Sequence, residues 1–262
     1  MGVLNVTPDS FSDGALYADP AAAVAHGARM ADDGADIVDV GGESTRPGAT
    51  PVAVDEELQR VLPVIEGLRT SRPDLVVSID TRHSRVAKEA VAVGASIVND
   101  ISGGLDPTMV QVVKDAAAGL VLMHMQGDPR TMQVEPQYDD VVAEVHEFLR
   151  ERVESAVFAG ISSEYLCVDP GIGFGKDLEH NLALLRGLER LGDLDAAVMI
   201  GASRKRFIGT LTGVEDPAAR VEGSIAAAVL SVGHDVDVVR VHDVGETVRA
   251  LRVADAIVRD GA

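Results

Sequence analysis

The chain has 262 residues, of which 46% are hydrophobic and 25% charged, enough apolar material for one large domain or two small ones. A formal net charge of −19 argues against nucleic acids and anionic membrane surfaces as partners, because both call for basic patches. No apolar run reaches the ~18 residues of a membrane span and the N-terminus has no basic-then-apolar signal pattern, so a cytoplasmic protein is expected.

The first apolar run, Val3–Val6, reads as a short strand that opens into the polar segment "TPDSFSDG", with Phe11, Asp13 and Gly14. Only Met1 and Gly2 precede it, so this strand is either trimmed or brief. Seven more strands are expected at Asp36–Gly42, Leu75–Asp80, Ser96–Asp100, Gly119–His124, Tyr165–Pro170, Ala196–Gly201 and Asp237–Asp243. Helical patterns lie between and after them, near 21–33, 55–69, 83–93, 107–117, 139–159, 178–190, 217–232 and 244–259. Strict alternation of strand and helix over this length fits an α/β fold, a (β/α)8 TIM barrel forming a single domain over residues 1–262. A doubly wound open sheet is the alternative, but "NVTPDSFSDG" is not the Gly-rich fingerprint expected in its first turn.

Active sites of such barrels form at the carboxyl ends of the strands. There the sequence places Asn5; Glu43, Thr45 and Arg46; Asp80; Asn99 and Asp100; His124; Asp169; Ser203, Arg204 and Lys205; and Arg240 with His242. Several of these have a structural alternative. Asp80 could cap the next helix, Asn99 and Asp100 could form a turn, and Gly171, Gly173 and Gly175 suit loop geometry better than a nucleotide loop. Glu43 could hold a metal or a salt bridge, or serve the structure of the second loop. Arg240 and His242 alternate along one strand and so share a face; a cation pair there is costly without a partner, and an anionic ligand would supply one.

Together these residues read as one site. Arg46, Lys205, Arg240 and His242 supply positive charge, and Asp80, Asn99 and Asp169 supply acceptors and amides. A ligand with a polyanionic end and a flat, donor-rich end fits, such as a phosphorylated heterocycle with a 2-amino-4-oxo edge. Cys167, in "YLCVDPG", reads as a buried structural thiol. The histidines show no zinc-ligand spacing, and His26, His83, His146, His180 and His234 read as surface residues.

The stretches "MGVLNVTPDSFSDG", "GADIVDVGGESTRPGA", "VSIDT", "GASIVNDISGG", "LMHMQGDPRTMQ", "VDPGIGFGK", "GASRKRFIG" and "RVHDV" resemble the dihydropteroate synthases, the sulfonamide-sensitive transferases of folate biosynthesis. They occur in family order along the whole chain. The resemblance implies a pterin-binding (β/α)8 barrel that joins 4-aminobenzoate to 6-hydroxymethyl-7,8-dihydropterin diphosphate, giving dihydropteroate and pyrophosphate. It implies that Asp80, Asn99, Asp169 and Lys205 hold the pterin, with Met123 packed on the ring. Asn5 would bind Mg2+, and Thr45, Arg240 and His242 the diphosphate. Phe11, Pro47, Phe174, Ser203 and Arg206 would shape the aminobenzoate site. Asp13 and Arg46 would lie on two mobile loops and take part in catalysis with Lys205, Arg240 and His242. The implied reaction is dissociative, and the implied assembly a homodimer.

Two positions depart from the family pattern: Ala15 stands where a second Gly is common, and Arg206 where Ser is common. The rival readings are a methyltetrahydrofolate-dependent methyltransferase and a non-catalytic pterin-binding paralogue. "STRPG", "GASRK" and "RVHD" speak against the first, and the retained Phe11, Asp13, Thr45, Arg46 and Pro47 against the second.

Overall fold

The apolar runs do become strands. In the computed structural model, which describes residues 1–7, 19–44, 50–128 and 131–258, they are β1 (Gly2–Asn5), β2 (Ile37–Gly41), β3 (Val76–Asp80), β4 (Ile97–Asp100), β5 (Gly119–Met123), β6 (Leu166–Asp169), β7 (Ala197–Ile200) and β8 (Val238–Val239). Each pairs in parallel with its successor, in the order β1 to β8. The ring closes where Val3 N donates to the Val241 carbonyl and Val241 N to the Met1 carbonyl, both at 2.9 Å. This is the expected (β/α)8 barrel.

The helices are α1 (Pro20–Asp32), α2 (Val54–Ser71), α3 (Ser84–Ala92), α4 (Pro107–Ala116), α5 (Val141–Phe158), α6 (Leu178–Arg186), α7 (Arg206–Thr212), α8 (Val221–Val232) and α9 (Val244–Val258). Local chemistry starts several of them. Asp19 and Asp106 accept N-cap bonds from Ala21 N and Thr108 N, each just ahead of a proline in the first turn. Asp177 and His180 form a capping box at the start of α6.

Two expectations are corrected. The seven-residue α7 was not anticipated; it is too short to show an amphipathic period, although Gly213, in the left-handed conformation, ends it. The eighth strand is far shorter than Asp237–Asp243, and Arg240 and His242 lie beyond it. Its backbone still joins the ladder, for Arg240 N donates to the Ile200 carbonyl at 2.9 Å.

Alternation along the strands makes two layers. Leu4, Val38, Val40, Val77, Ile79, Val98, Leu122 and Val168 pack outward in the main hydrophobic cluster with Ile65, Leu68, Val86 and Val145 of the helices. Full burial of each such side chain contributes about 1.5–3 kcal/mol. The intervening positions face the barrel axis, and there Asp39, Ser78, Asn99 and Asp169 are buried polar groups. Burying polar atoms in the axis gains nothing for the core, so these residues mark the site.

Candidate active site

Strand register sets the floor. Asn5, Gly41, Asp80 and Asn99 are successive partners across β1 to β4, and Met123 partners Asp169 across β5 and β6. Arg240 reaches into this row. Its Nε donates to Asp39 Oδ2 and its Nη2 to Asp80 Oδ2, both at 2.7 Å. Asn99 Nδ2 donates to the same Asp39 oxygen at 2.9 Å.

The guanidinium therefore has two carboxylate partners within the chain, Asp39 and Asp80, in addition to any anionic ligand the sequence suggests for it. Asp39 was missed by sequence reasoning. An acidic residue between Val38 and Val40 in a buried strand was the available signal. Asp80 does not cap α3: the residue before that helix is His83, and no side chain caps it. Asp100, by contrast, does make the turn, accepting from Ser102 N, Ser102 Oγ and Gly104 N.

Burial governs the electrostatics of this floor. It pushes the Asp80 carboxyl up to about 7, against the pull of Arg240 and with the help of the Asp39 charge. It pushes the Asp169 carboxyl up as well, opposed by the bond from Gly171 N and by Lys205. It draws Lys205 down to about 8, with Asp169 opposing. The Cys167 thiol is pushed up by burial, as suits a structural side chain rather than a nucleophile.

The β6–α6 loop forms one side of the site. Gly171 N donates to Asp169 Oδ1 at 2.7 Å. Gly171 has φ +68°, and a Cβ there would stand 1.9 Å from the His124 carbonyl oxygen. At Gly175, φ +62°, a Cβ would stand 2.6 Å from the Gln126 carbonyl oxygen. These glycines serve close backbone approach, as loop geometry predicted. Phe174 lies under Lys205, whose Nζ is 3.9 Å from the ring centroid.

Lys176, also missed, is buried beneath the loop. Its Nζ donates to the Phe174 carbonyl and to His124 Nδ1, both at 2.9 Å. Burial brings Lys176 down to about 7, and burial together with Lys176 brings His124 to about 3.

The β7–α7 turn forms another side. Arg204, at φ 59°, makes a two-pronged ion pair with Asp243, at 3.0 and 2.6 Å. Arg220 donates to the carbonyls of Arg204, Val214 and Glu215 at 3.1, 3.0 and 2.6 Å. Ser203 Oγ accepts from His242 N at 3.2 Å and lies 3.1 Å from His242 Nδ1. Arg206 is exposed at the start of α7.

Asn5, Asp80, Phe174, Lys205, Arg240 and His242 all line one cavity of about 760 Å³. Ser203 and Arg206 line it too, while Asn99, Met123 and Asp169 are nearly fully buried behind that lining. The expected Phe11, Asp13, Thr45, Arg46 and Pro47 lie outside the described residues, as does Ala15. Glu43 is a structural ion pair: it binds Arg82 through both oxygens at 2.9 and 3.0 Å and accepts from Val52 N.

The histidines read as surface residues are instead half-buried. His83, His146, His180 and His234 sit against Glu57, Asp193, Asp177 and Glu189, and His26 lies 3.4 Å from Arg29. Apart from Asp177 and Arg29, those partners come from other elements, which local sequence does not display.

Among the described residues no cluster of three or more His, Cys, Asp or Glu could hold a metal alone. A cation carried by a diphosphate needs only one or two protein oxygens. Asn5 fits that role: it carries an amide oxygen and lines the cavity together with Asp80. No helix among the described residues is long and apolar enough to cross a membrane.

A family model described as pterin binding enzyme matches residues 1–242. The dihydropteroate synthase of Escherichia coli K12 is 47% identical over 256 residues, which is 98% of this chain and 90% of that one. Among solved structures, the dihydropteroate synthase of Xanthomonas albilineans with 4-aminobenzoic acid is 51% identical with a TM-score of 0.92, covering 98% of this chain and 92% of that one. The Yersinia pestis dihydropteroate synthase with a sulfonamide drug is 43% identical with a TM-score of 0.93, covering 98% and 93%. With barrel, strand-end floor and full-length likeness in agreement, the chain belongs to the pterin-binding enzyme family, among its dihydropteroate synthases.

Proposed function

We propose that this cavity condenses 6-hydroxymethyl-7,8-dihydropterin diphosphate with 4-aminobenzoate, and that the described residues divide the work between its two ends. The observation that carries this reading is the Arg240 guanidinium, set between Asp39 and Asp80 on the floor and lining the same cavity as Asn5 and His242. It joins an acceptor-rich floor to a cationic rim. Asp80, Asn99, Asp169 and Lys205 take the ring, with Met123 against its face. Arg240, His242 and Thr45 take the diphosphate. Phe174, Ser203, Arg206, Phe11 and Pro47 shape the aminobenzoate site.

The reaction breaks the bond between the pterin methylene and the diphosphate oxygen, and forms a bond from that methylene to the aniline nitrogen. The nitrogen then loses a proton. In the order proposed, the diphosphate departs first. Arg240 and His242 stabilise the charge that develops on it, and Asp13 the cation left behind. Bound through Asn5 and the diphosphate, Mg2+ would neutralise further charge on the leaving group. Arg46 and Asp13, on their loops, exclude water from the cation. The wall at Phe174 and Ser203 holds the amine close to the methylene. No covalent enzyme intermediate is needed. The chain acts as one pterin-binding domain, in the cytoplasm, as a homodimer.

Incubating the pure protein with both substrates and Mg2+, and quantifying dihydropteroate by chromatography, tests this reading. Product that requires both aminobenzoate and Mg2+ is expected. A folded protein that yields none overturns it. Asp13→Ala is expected to lower turnover far more than pterin affinity; a wild-type rate would remove Asp13 from the reaction.

A further inference from the structure

We propose that Asp39 determines ring specificity: it holds the Asn99 amide by its nitrogen, fixes the amide oxygen as the acceptor on the side away from Asp39, and so makes the floor favour a donor-rich ring edge. The inference rests on the reading that a pterin ring occupies this floor.

Asp39 lies in the middle of β2 and has 0% exposure. A buried carboxylate is costly unless it is paired. Its Oδ2 carries the pairing, accepting from Asn99 Nδ2 at 2.9 Å and from Arg240 Nε at 2.7 Å. Its Oδ1 has no hydrogen-bond partner among the described residues. An oxygen that accepts from a guanidinium can only accept from its other neighbour. Asn99 offers either an oxygen or an NH2 group, so it must face Asp39 with the NH2.

The consequence falls on the ligand. Asp80 uses one oxygen on Arg240 and Asp169 one on Gly171 N, and each carboxyl keeps a second oxygen. With the Asn99 nitrogen turned to Asp39, its oxygen is a third acceptor beside these carboxyls, while Lys205 and Arg240 line the same cavity as donors. A ring with N–H groups on that edge finds partners. The same ring with an oxygen in place of its 2-amino group sets oxygen against oxygen. Sites built to hydrogen-bond one group reject the analogue that lacks it far more strongly than apolar pockets reject a changed methylene. Asp39 does not line the cavity, so it acts through Asn99 as a positioning residue.

Calorimetric titration with 6-hydroxymethylpterin and its 2,4-dioxo counterpart, 6-hydroxymethyllumazine, tests this through the ratio of the two affinities. The wild-type chain is expected to favour the pterin by about tenfold or more. Asp39→Ala frees the amide to turn, and the ratio is expected to fall to within about threefold. Asp39→Asn keeps an oxygen where Oδ2 stood while removing the charge, and is expected to retain the preference. Asn99→Ala leaves the Asp39–Arg240 pair in place, is expected to lose the preference, and decides the question if Asp39→Ala does not fold. A wild-type ratio in Asp39→Ala or in Asn99→Ala overturns the inference. So does Asp39→Asn behaving like Asp39→Ala, or a wild-type chain that binds both rings equally. A folded wild-type chain that binds neither ring overturns the pterin reading itself.

Discussion

On the floor of the cavity the polar groups ride on strands, and two carboxylates share one guanidinium. On the wall they ride on loops, held mostly by side chains that donate to backbone carbonyls, with the Arg204–Asp243 ion pair as the exception. Asp39 and Asp80 are fixed by the register of β2 and β3, and Arg240 ties them together. Phe174, by contrast, is placed by a loop whose carbonyls are held by Lys176, Tyr138 and Gln133. The turn bearing Ser203 and Lys205 is held in the same way by Arg220. Lys176 and Lys205 both feel the charge of Asp169, but Lys176 is held by neutral acceptors on His124 and Phe174, whereas Lys205 lines the cavity over the Phe174 ring. A floor of ion pairs on strands suits recognition of one rigid ring. A wall set by dipoles on loops suits a second substrate that enters later.

The severest way to break the comparison is Arg240→Met. It leaves Asp39 and Asp80 buried without their cation, and losing one partner of a buried pair costs about 3–5 kcal/mol. Denaturant unfolding should show that loss, and calorimetry should show weakened pterin diphosphate binding; a stability within about 1 kcal/mol of wild type would mean that the ion network does not support the floor. Lys205→Ala comes next. It removes the cation facing Asp169, and pterin affinity should fall by about 100-fold, in line with charged hydrogen bonds worth roughly 1.5–3 kcal/mol. An unchanged affinity would place the ring elsewhere.

The wall can be probed by pH. Burial holds Lys176 near 7 instead of its ordinary 10.5, so the folded chain binds fewer protons than the unfolded chain between those values. Stability should therefore rise with pH across that window, and the full cost of burying the ammonium is felt below it. Lys205, near 8, adds to the same rise. Lys176→Met should flatten the curve of unfolding free energy against pH; a slope as steep as wild type would show that Lys176 does not titrate there. The smallest of these effects is expected from Arg220→Ala, which frees the carbonyls that hold the Ser203–Arg206 turn and should cost about 1–2 kcal/mol, with a matching loss in turnover. Lost stability with turnover intact would mean that the turn keeps its shape without Arg220.

What could be read in the sequence follows from the same contrast. Strand-borne residues announce themselves, because an Asp or Asn ending a run of Val and Ile has few structural uses; Asn5, Asp80, Asn99 and Asp169 were found in this way. Asp39 escaped because it lies inside its run and not at the end, and its partners Asn99 and Arg240 are far away in the chain. Lys176 escaped because its importance rests on contacts with His124 and Phe174, which spacing does not reveal. Sequence alone suggests too long an eighth strand because Val-rich sequence continues past Val238–Val239, the residues that pair regularly with β7. The α7 helix was overlooked because seven residues leave no readable period.

The division between floor and wall is tested most directly by a crossed pair of kinetic measurements on Asp169→Ala and Phe174→Ala. The account predicts that Asp169→Ala raises KM for the pterin diphosphate and leaves that for aminobenzoate nearly unchanged. Phe174→Ala should do the reverse, by about tenfold, consistent with roughly 1 kcal/mol or more for a cation-stacked ring. Equal effects of both variants on both substrates would contradict the division and make the cavity a single undivided site.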